Sequence, residues 1–150
     1  GNIFAAPSAR DHAVAHAMLA RFGIAHLAER PYTLISGGER QLVLIARALA
    51  QEPAYVILDE PTASLDFSNQ GRVMSEIRRL AAVGLGVLFT THDPNQALRH
   101  ADRVTMIRDG QALASGPADA LLTPDRLEQL YGVSIETVRD GDGRVAFLPG

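Results

Sequence analysis

Lysine is missing from all 150 residues, and the fourteen basic side chains, from Arg10 to Arg144, are arginines. That absence excludes the loop G-x-x-x-x-G-K-[ST], whose lysine grips the terminal phosphates of a nucleotide. Cysteine is missing too, which rules out disulfides and thiolate metal sites and is compatible with a reducing compartment. No apolar run reaches the about 18 residues that span a bilayer as a helix, and Gly1-Asn2-Ile3-Phe4 has no basic-then-apolar signal pattern. A membrane link is therefore expected only through a partner. Positive charge in excess is lacking as well: a net charge of −3 and a pI near 5.9 give no broad basic field, and no local basic patch offsets it, so nucleic acid is not an expected partner. The chain also opens without Met, and a fragment of a longer protein is expected.

What is present has the size and the 47% hydrophobic content of one soluble domain with a buried core. Ser8 ahead of Asp11, with apolar Val14, Met18, Leu19 and Phe22, predicts a capped amphipathic helix that ends at Gly23. A shorter helical piece is expected over about 24–29. Ser36 opens the next helix, with Leu42, Ile45, Ala46 and Leu49 inward, and Pro53 closes it. Ala54 to Leu58 is short, wholly apolar and β-rich, which predicts a strand covered on both faces. A helix over about 68–82 turns Val73, Ile77 and Leu80 inward, and Leu85 to Thr90 reads as a second buried strand.

Beyond it, Asp93-Pro94 starts a helix through Leu98, and Asp109-Gly110 joins a hairpin. Thr123-Pro124 starts a last helix closed by Gly132, and a terminal hairpin surrounds Asp140-Gly141-Asp142-Gly143. Strands alternating with helices define an α/β chain with a parallel sheet, finished by antiparallel hairpins.

Three places carry candidate chemistry. Ser36-Gly37-Gly38-Glu39 reads as a capping box, in which Ser36 caps the helix and Glu39 reaches back to the cap. Two glycines in a first helical turn exceed what that reading needs, because glycine in a helix interior is worse than alanine by about 0.8–1 kcal/mol. A bare helix N-terminus with a serine hydroxyl also suits phosphate. Asp59-Glu60 closes a buried strand, where open α/β sheets bind ligands; the pair is either turn chemistry or a division of labour in which one carboxylate holds Mg²⁺ and the other takes a proton. His92 closes the following strand, and strands joined through one helix usually lie parallel and close, which brings the histidine toward the carboxylates. His12 and His16 lack a recognisable third ligand and read as a solvated helix face.

Taken in order, Ile35-Ser36-Gly37-Gly38-Glu39-Arg40-Gln41, Tyr55-Val56-Ile57-Leu58-Asp59-Glu60-Pro61, Ala63-Ser64-Leu65-Asp66 and Thr91-His92-Asp93 resemble the ABC ATPase family. Three further stretches look most like its importers of iron-siderophore, haem, cobalamin and related metal or oxyanion cargo. They are Phe4-Ala5-Ala6-Pro7-Ser8, Leu127-Glu128-Gln129-Leu130-Tyr131-Gly132-Val133, and the hairpin through Arg144 to Leu148-Pro149.

The resemblance implies a partial P-loop NTPase fold: a helical signature region over about 1–50, a sheet core over about 51–116, and a C-terminal helix and hairpin over about 117–150. It implies that Ser36, Gly37 and Gly38 contact the γ-phosphate of ATP held by the opposite subunit of a head-to-tail homodimer, with Glu39 beside them. Asp59 would serve Mg²⁺, Glu60 would be the general base on water, His92 would sense the γ-phosphate, and Asp66 would couple the two sites. It implies an ATPase docked on transmembrane permease subunits at the cytoplasmic face of the membrane.

The adenine-stacking aromatic, the Walker A loop and the glutamine loop would precede Gly1, so the fragment alone is expected to be inactive. Glu39 stands where the family more often has glutamine, and Ile35 where it has leucine. Two other readings are a non-catalytic interaction fragment and a soluble ABC ATPase of DNA repair or translation; the latter lacks support from coiled-coil heptads or a basic surface.

Overall fold

The computed structural model describes residues 6–150, so Phe4 and Ala5 of the opening segment lie outside the described residues. The chain divides into two compact units, Gly1–Thr90 and Thr91–Gly150.

In the first unit, Ser8 caps α1 (Ala9–Arg21), as expected, and the cap is a reciprocal box with Asp11. The chain leaves α1 through fully buried Phe22 and through Gly23, whose φ of +69° favours glycine. The Arg72 guanidinium donates to the Phe22 carbonyl at 3.1 Å, and a Cβ on Gly23 would come within 2.2 Å of its Nη1. The short helical piece expected next is a single 3₁₀ turn, Ala25–Leu27, and a second turn at Tyr32–Leu34 is too brief for periodicity to announce.

Helix α2 (Gly37–Leu49) buries Leu42, Ile45, Ala46 and Leu49, the four residues its spacing selects. Helix α3 (Phe67–Ala82) is capped by Asp66 and buries Val73, Met74 and Ile77. Between them run β1 (Tyr55–Leu58) and, after α3, β2 (Gly86–Phe89), which pair in parallel as Tyr55 with Gly86 and Leu58 with Phe89. Val56 and Leu58 join one core with the apolar stripes of α2 and α3.

The expectation that both faces of these strands are covered fails. Tyr55 is 81% exposed, Ile57 75% and Leu88 61%, so only the Val56–Leu58 side is packed. An all-apolar strand reports that burial is tolerated on both sides; it does not supply the second layer. On the uncovered side the Tyr55 ring lies over Gly86, where a Cβ would meet the ring at 2.2 Å.

The second unit begins with α4 (Pro94–His100), two residues longer than its sequence signal. Strands β3 (Arg103–Arg108) and β4 (Gln111–Pro117) form the first hairpin, with Asp109 and Gly110 both at positive φ, as a two-residue primed turn requires. Helix α5 (Ala118–Leu121) is a single turn with no sequence signature of its own. Helix α6 (Pro124–Tyr131) ends on Gly132 at φ +73°, and β5 (Ile135–Arg139) pairs with β6 (Val145–Pro149) as the terminal hairpin. Leu127 and Phe147, nearly or wholly buried, centre a core with Ala97, Met106, Ala118, Leu121 and Leu122. The α/β class and the parallel β1–β2 pair follow the expectation; among the described residues the strands form three two-stranded sheets.

Candidate functional site

Asp59 and Glu60 emerge from the carboxyl end of β1, both exposed. One hydroxyl fastens them. Thr90, just past β2, donates from Oγ1 to Asp59 Oδ1 at 2.5 Å and accepts the Glu60 backbone N–H at 2.9 Å. The Thr90 N–H in turn donates to the Leu58 carbonyl at 3.0 Å, extending the strand pairing by one step. The parallel register thus sets a threonine beside the acidic pair and gives its hydroxyl a donor and an acceptor role at once.

Glu60 adopts φ +41°, a left-handed conformation that costs a non-glycine residue roughly 1–3 kcal/mol unless its surroundings hold it. The Thr90 hydroxyl supplies part of that hold, and the turn continues with the Ala63 N–H donating to the Glu60 carbonyl at 3.1 Å.

The Ser36 segment has a different geometry. Ser36 Oγ accepts the Glu39 N–H at 3.2 Å, and the Ser36 N–H donates to Glu39 Oε2 at 2.7 Å, so the capping box is complete. The Ser36 backbone N–H, followed by its hydroxyl, holds the Glu39 carboxyl below its ordinary pKa, with smaller contributions from His26 and Arg30. Glu39 therefore spends its charge on the cap. Arg40 steadies the approach: its Nε donates to the Ile35 carbonyl at 3.1 Å, and its guanidinium lies 5.8 Å from the centre of the Tyr32 ring.

The two glycines separate. A Cβ on Gly38 would come within 3.2 Å of the Ser64 carbonyl, so Gly38 lets α2 approach the Ser64–Leu65 turn closely. A Cβ on Gly37 would meet nothing within 4 Å. Gly37 and Ser36 are exposed, and this first turn offers bare backbone to an incoming group.

Asp66 serves as the N-cap of α3. Its Oδ1 accepts the Asn69 N–H and its Oδ2 the Asn69 side-chain amide, each at 2.9 Å.

His92 lies in the second unit, exposed, with its backbone carbonyl accepting the Tyr131 hydroxyl at 3.0 Å. Thr91 Oγ1 accepts the Asp93 N–H at 3.1 Å, and Asp93 caps α4 through the Asn95 N–H at 2.8 Å. His12 and His16 are exposed on α1.

Among the described residues, no cluster of three or more His, Cys, Asp or Glu side chains could cage a metal ion. An exposed carboxylate with one oxygen tied to a hydroxyl nevertheless fits Mg²⁺, which typically takes one or two carboxylates and completes its octahedron with water and substrate phosphates.

Thr90 and Tyr131 escaped sequence reasoning. Their partners lie 30 to 39 residues away, and only the register of β1 against β2 could have pointed to Thr90.

Two adjacent carboxylates at the carboxyl end of a parallel strand stand where open α/β sheets bind ligands, which defines the class as an α/β ligand-binding fold. A family model described as ABC transporter matches residues 3–63. A hemin import ATP-binding protein of Gloeobacter violaceus is 42% identical over 137 residues, 87% of this chain and 50% of its own length. A solved chain described as an inward-facing conformation of a metal-chelate type ABC transporter is 36% identical, with a TM-score of 0.89 over 99% of this chain and 61% of its own. A dimeric bacterial ABC transporter cassette is 30% identical, with a TM-score of 0.69 over 76% of this chain and 50% of its own. The chain belongs to the ABC transporter ATP-binding family, and it spans about half the length of the curated relatives it matches. No helix among the described residues is long and apolar enough to cross a membrane.

Proposed function

We propose that this chain is the C-terminal portion of one ATPase domain, in an ATP-binding subunit that hydrolyses ATP to drive import of hemin or a related metal chelate. The observation that carries the catalytic part is the Asp59–Glu60 pair fastened through one threonine at the end of a parallel strand. The cargo class is supported by the hemin-import and metal-chelate relatives.

In this reading Glu60 takes a proton from the attacking water, and its fixed backbone aims the carboxylate. Asp59, its orientation set by Thr90, would hold Mg²⁺. Mg²⁺ bound with ATP supplies charge neutralisation at the phosphates. Ser36, Gly37 and Gly38 present a hydroxyl and backbone N–H groups to the γ-phosphate of ATP held by a second subunit, so each site is completed across a homodimer. Glu39 keeps the cap closed and stays turned toward Ser36. His92 contacts the γ-phosphate, and Asp66, by capping α3, holds the Ser64–Leu65 turn against Gly38 and links the two sites. Transmembrane permease subunits would hold the pair at the cytoplasmic face of the membrane; nothing in the charge distribution favours nucleic acid.

The experiment is Glu60→Gln in the intact subunit. ATP binding is expected to persist while turnover collapses, and unimpaired turnover refutes the assignment.

A second reading, an interaction fragment without catalysis, is favoured by one feature, the uncovered apolar face of Tyr55, Ile57 and Leu88.

A further inference from the structure

The segment that carries His92 is held from two sides by the C-terminal elements of its own unit. On one side the Tyr131 hydroxyl, at the last residue of α6, donates to the His92 backbone carbonyl at 3.0 Å. On the other, the Asn95 side chain pairs with the Phe147 backbone as a neighbouring strand would: its Nδ2 donates to the Phe147 carbonyl at 3.0 Å, and its Oδ1 accepts the Phe147 N–H at 2.7 Å. Asn95 is also the residue whose N–H is capped by Asp93, so the pairing with β6 and the start of α4 are fixed together.

These anchors are themselves rigid. Phe147 is 4% exposed, and Leu127, one helical turn before Tyr131, is fully buried in the same core. Gly132 at φ +73° ends α6 immediately after Tyr131 and so sets where the phenol stands. Tyr131 is 41% exposed and lies outside the buried core, and its hydroxyl has one evident task. Partial burial, and next the charge of Asp93, raise the pKa of a phenol that is already protonated at neutral pH, so the hydroxyl is a donor there.

We propose that Tyr131 is a positioning residue for His92: through its hydrogen bond to the His92 carbonyl, the C-terminal helix fixes the loop that presents the histidine. The proposal rests on His92 acting at the γ-phosphate, as read above. It assigns the C-terminal helix and hairpin a part in turnover, and any partner that displaces α6 would change catalysis without touching nucleotide.

The bond goes to backbone, so replacing the histidine side chain leaves it in place, and a double-mutant cycle isolates the effect. In the intact subunit, Tyr131→Phe is expected to lower kcat about threefold to tenfold, the range for loss of one neutral hydrogen bond, with ATP KM and melting temperature near wild type. In a His92→Ala background the same change is expected to cost nothing more. Wild-type kcat in Tyr131→Phe, or a loss that multiplies with that of His92→Ala, overturns the positioning role while the assignment of His92 stands. Full turnover in His92→Ala overturns the assignment itself and the inference with it. A Tyr131→Phe variant that melts early with kcat and KM both disturbed marks a structural residue and also overturns the proposal.

Discussion

Replacing Thr90 by valine removes one hydroxyl at nearly constant shape, and that hydroxyl is the point where the two candidate carboxylate residues meet. The bond to Asp59 has a charged acceptor, for which about 1.5–3 kcal/mol is usual, and the exposure of both residues lowers the expected loss to about 1–2 kcal/mol. The Glu60 N–H is exposed and can turn to water, but its left-handed backbone then loses a fixed support at φ +41°. If that loss falls on the transition state, turnover drops roughly fivefold to thirtyfold. Steady-state ATPase of the intact subunit, measured across a Mg²⁺ titration, reads both consequences: kcat falls, and half-saturating Mg²⁺ rises as Asp59 gains rotational freedom. Thr90→Ser keeps the hydroxyl and is expected to restore most of both. Wild-type kcat and Mg²⁺ dependence in Thr90→Val would refute the reasoning, as would a serine variant as impaired as the valine.

Acid should loosen the start of α2: the Glu39 carboxyl is held below its ordinary pKa by Ser36, so its contribution is present above the ordinary carboxylate range and is lost as pH falls through the depressed value. Melting curves against pH are expected to show that part of the acid sensitivity disappearing in Glu39→Gln. The 150-residue chain by itself, without any lysine to form a nucleotide-gripping loop, is expected to show negligible ATP turnover and to self-associate through Tyr55, Ile57 and Leu88. Turnover assays and light scattering test this, with Ile57→Glu expected to shift the scattering toward monomer.

Features legible in the chain were those whose partners are close in sequence. Ser36 and Glu39 are three residues apart, so their capping box can be read off directly, as can the Ser8 cap, and both are present. The buried face of α2 was equally plain, because a 3.6-residue period names its own inward positions. The Asp109-Gly110 turn needed only two positive φ angles that those residue types tolerate. Helix α5 and the second 3₁₀ turn were too short for any period to develop.

Sequence by itself determined the α/β class, the caps of α1, α2 and α4 and the identity of the acidic pair, since each depends on local spacing and on where apolar residues recur. Tertiary structure alone decided three matters. It left one side of β1 uncovered although every residue there is apolar, because a second layer must come from elsewhere. It showed that Gly38 answers a close approach to Ser64 while Gly37 answers to none of the chain's own packing. And it placed Thr90 beside Asp59 and Tyr131 beside His92, because a hydroxyl's partner is set by strand register and helix docking, which no short window of residues contains.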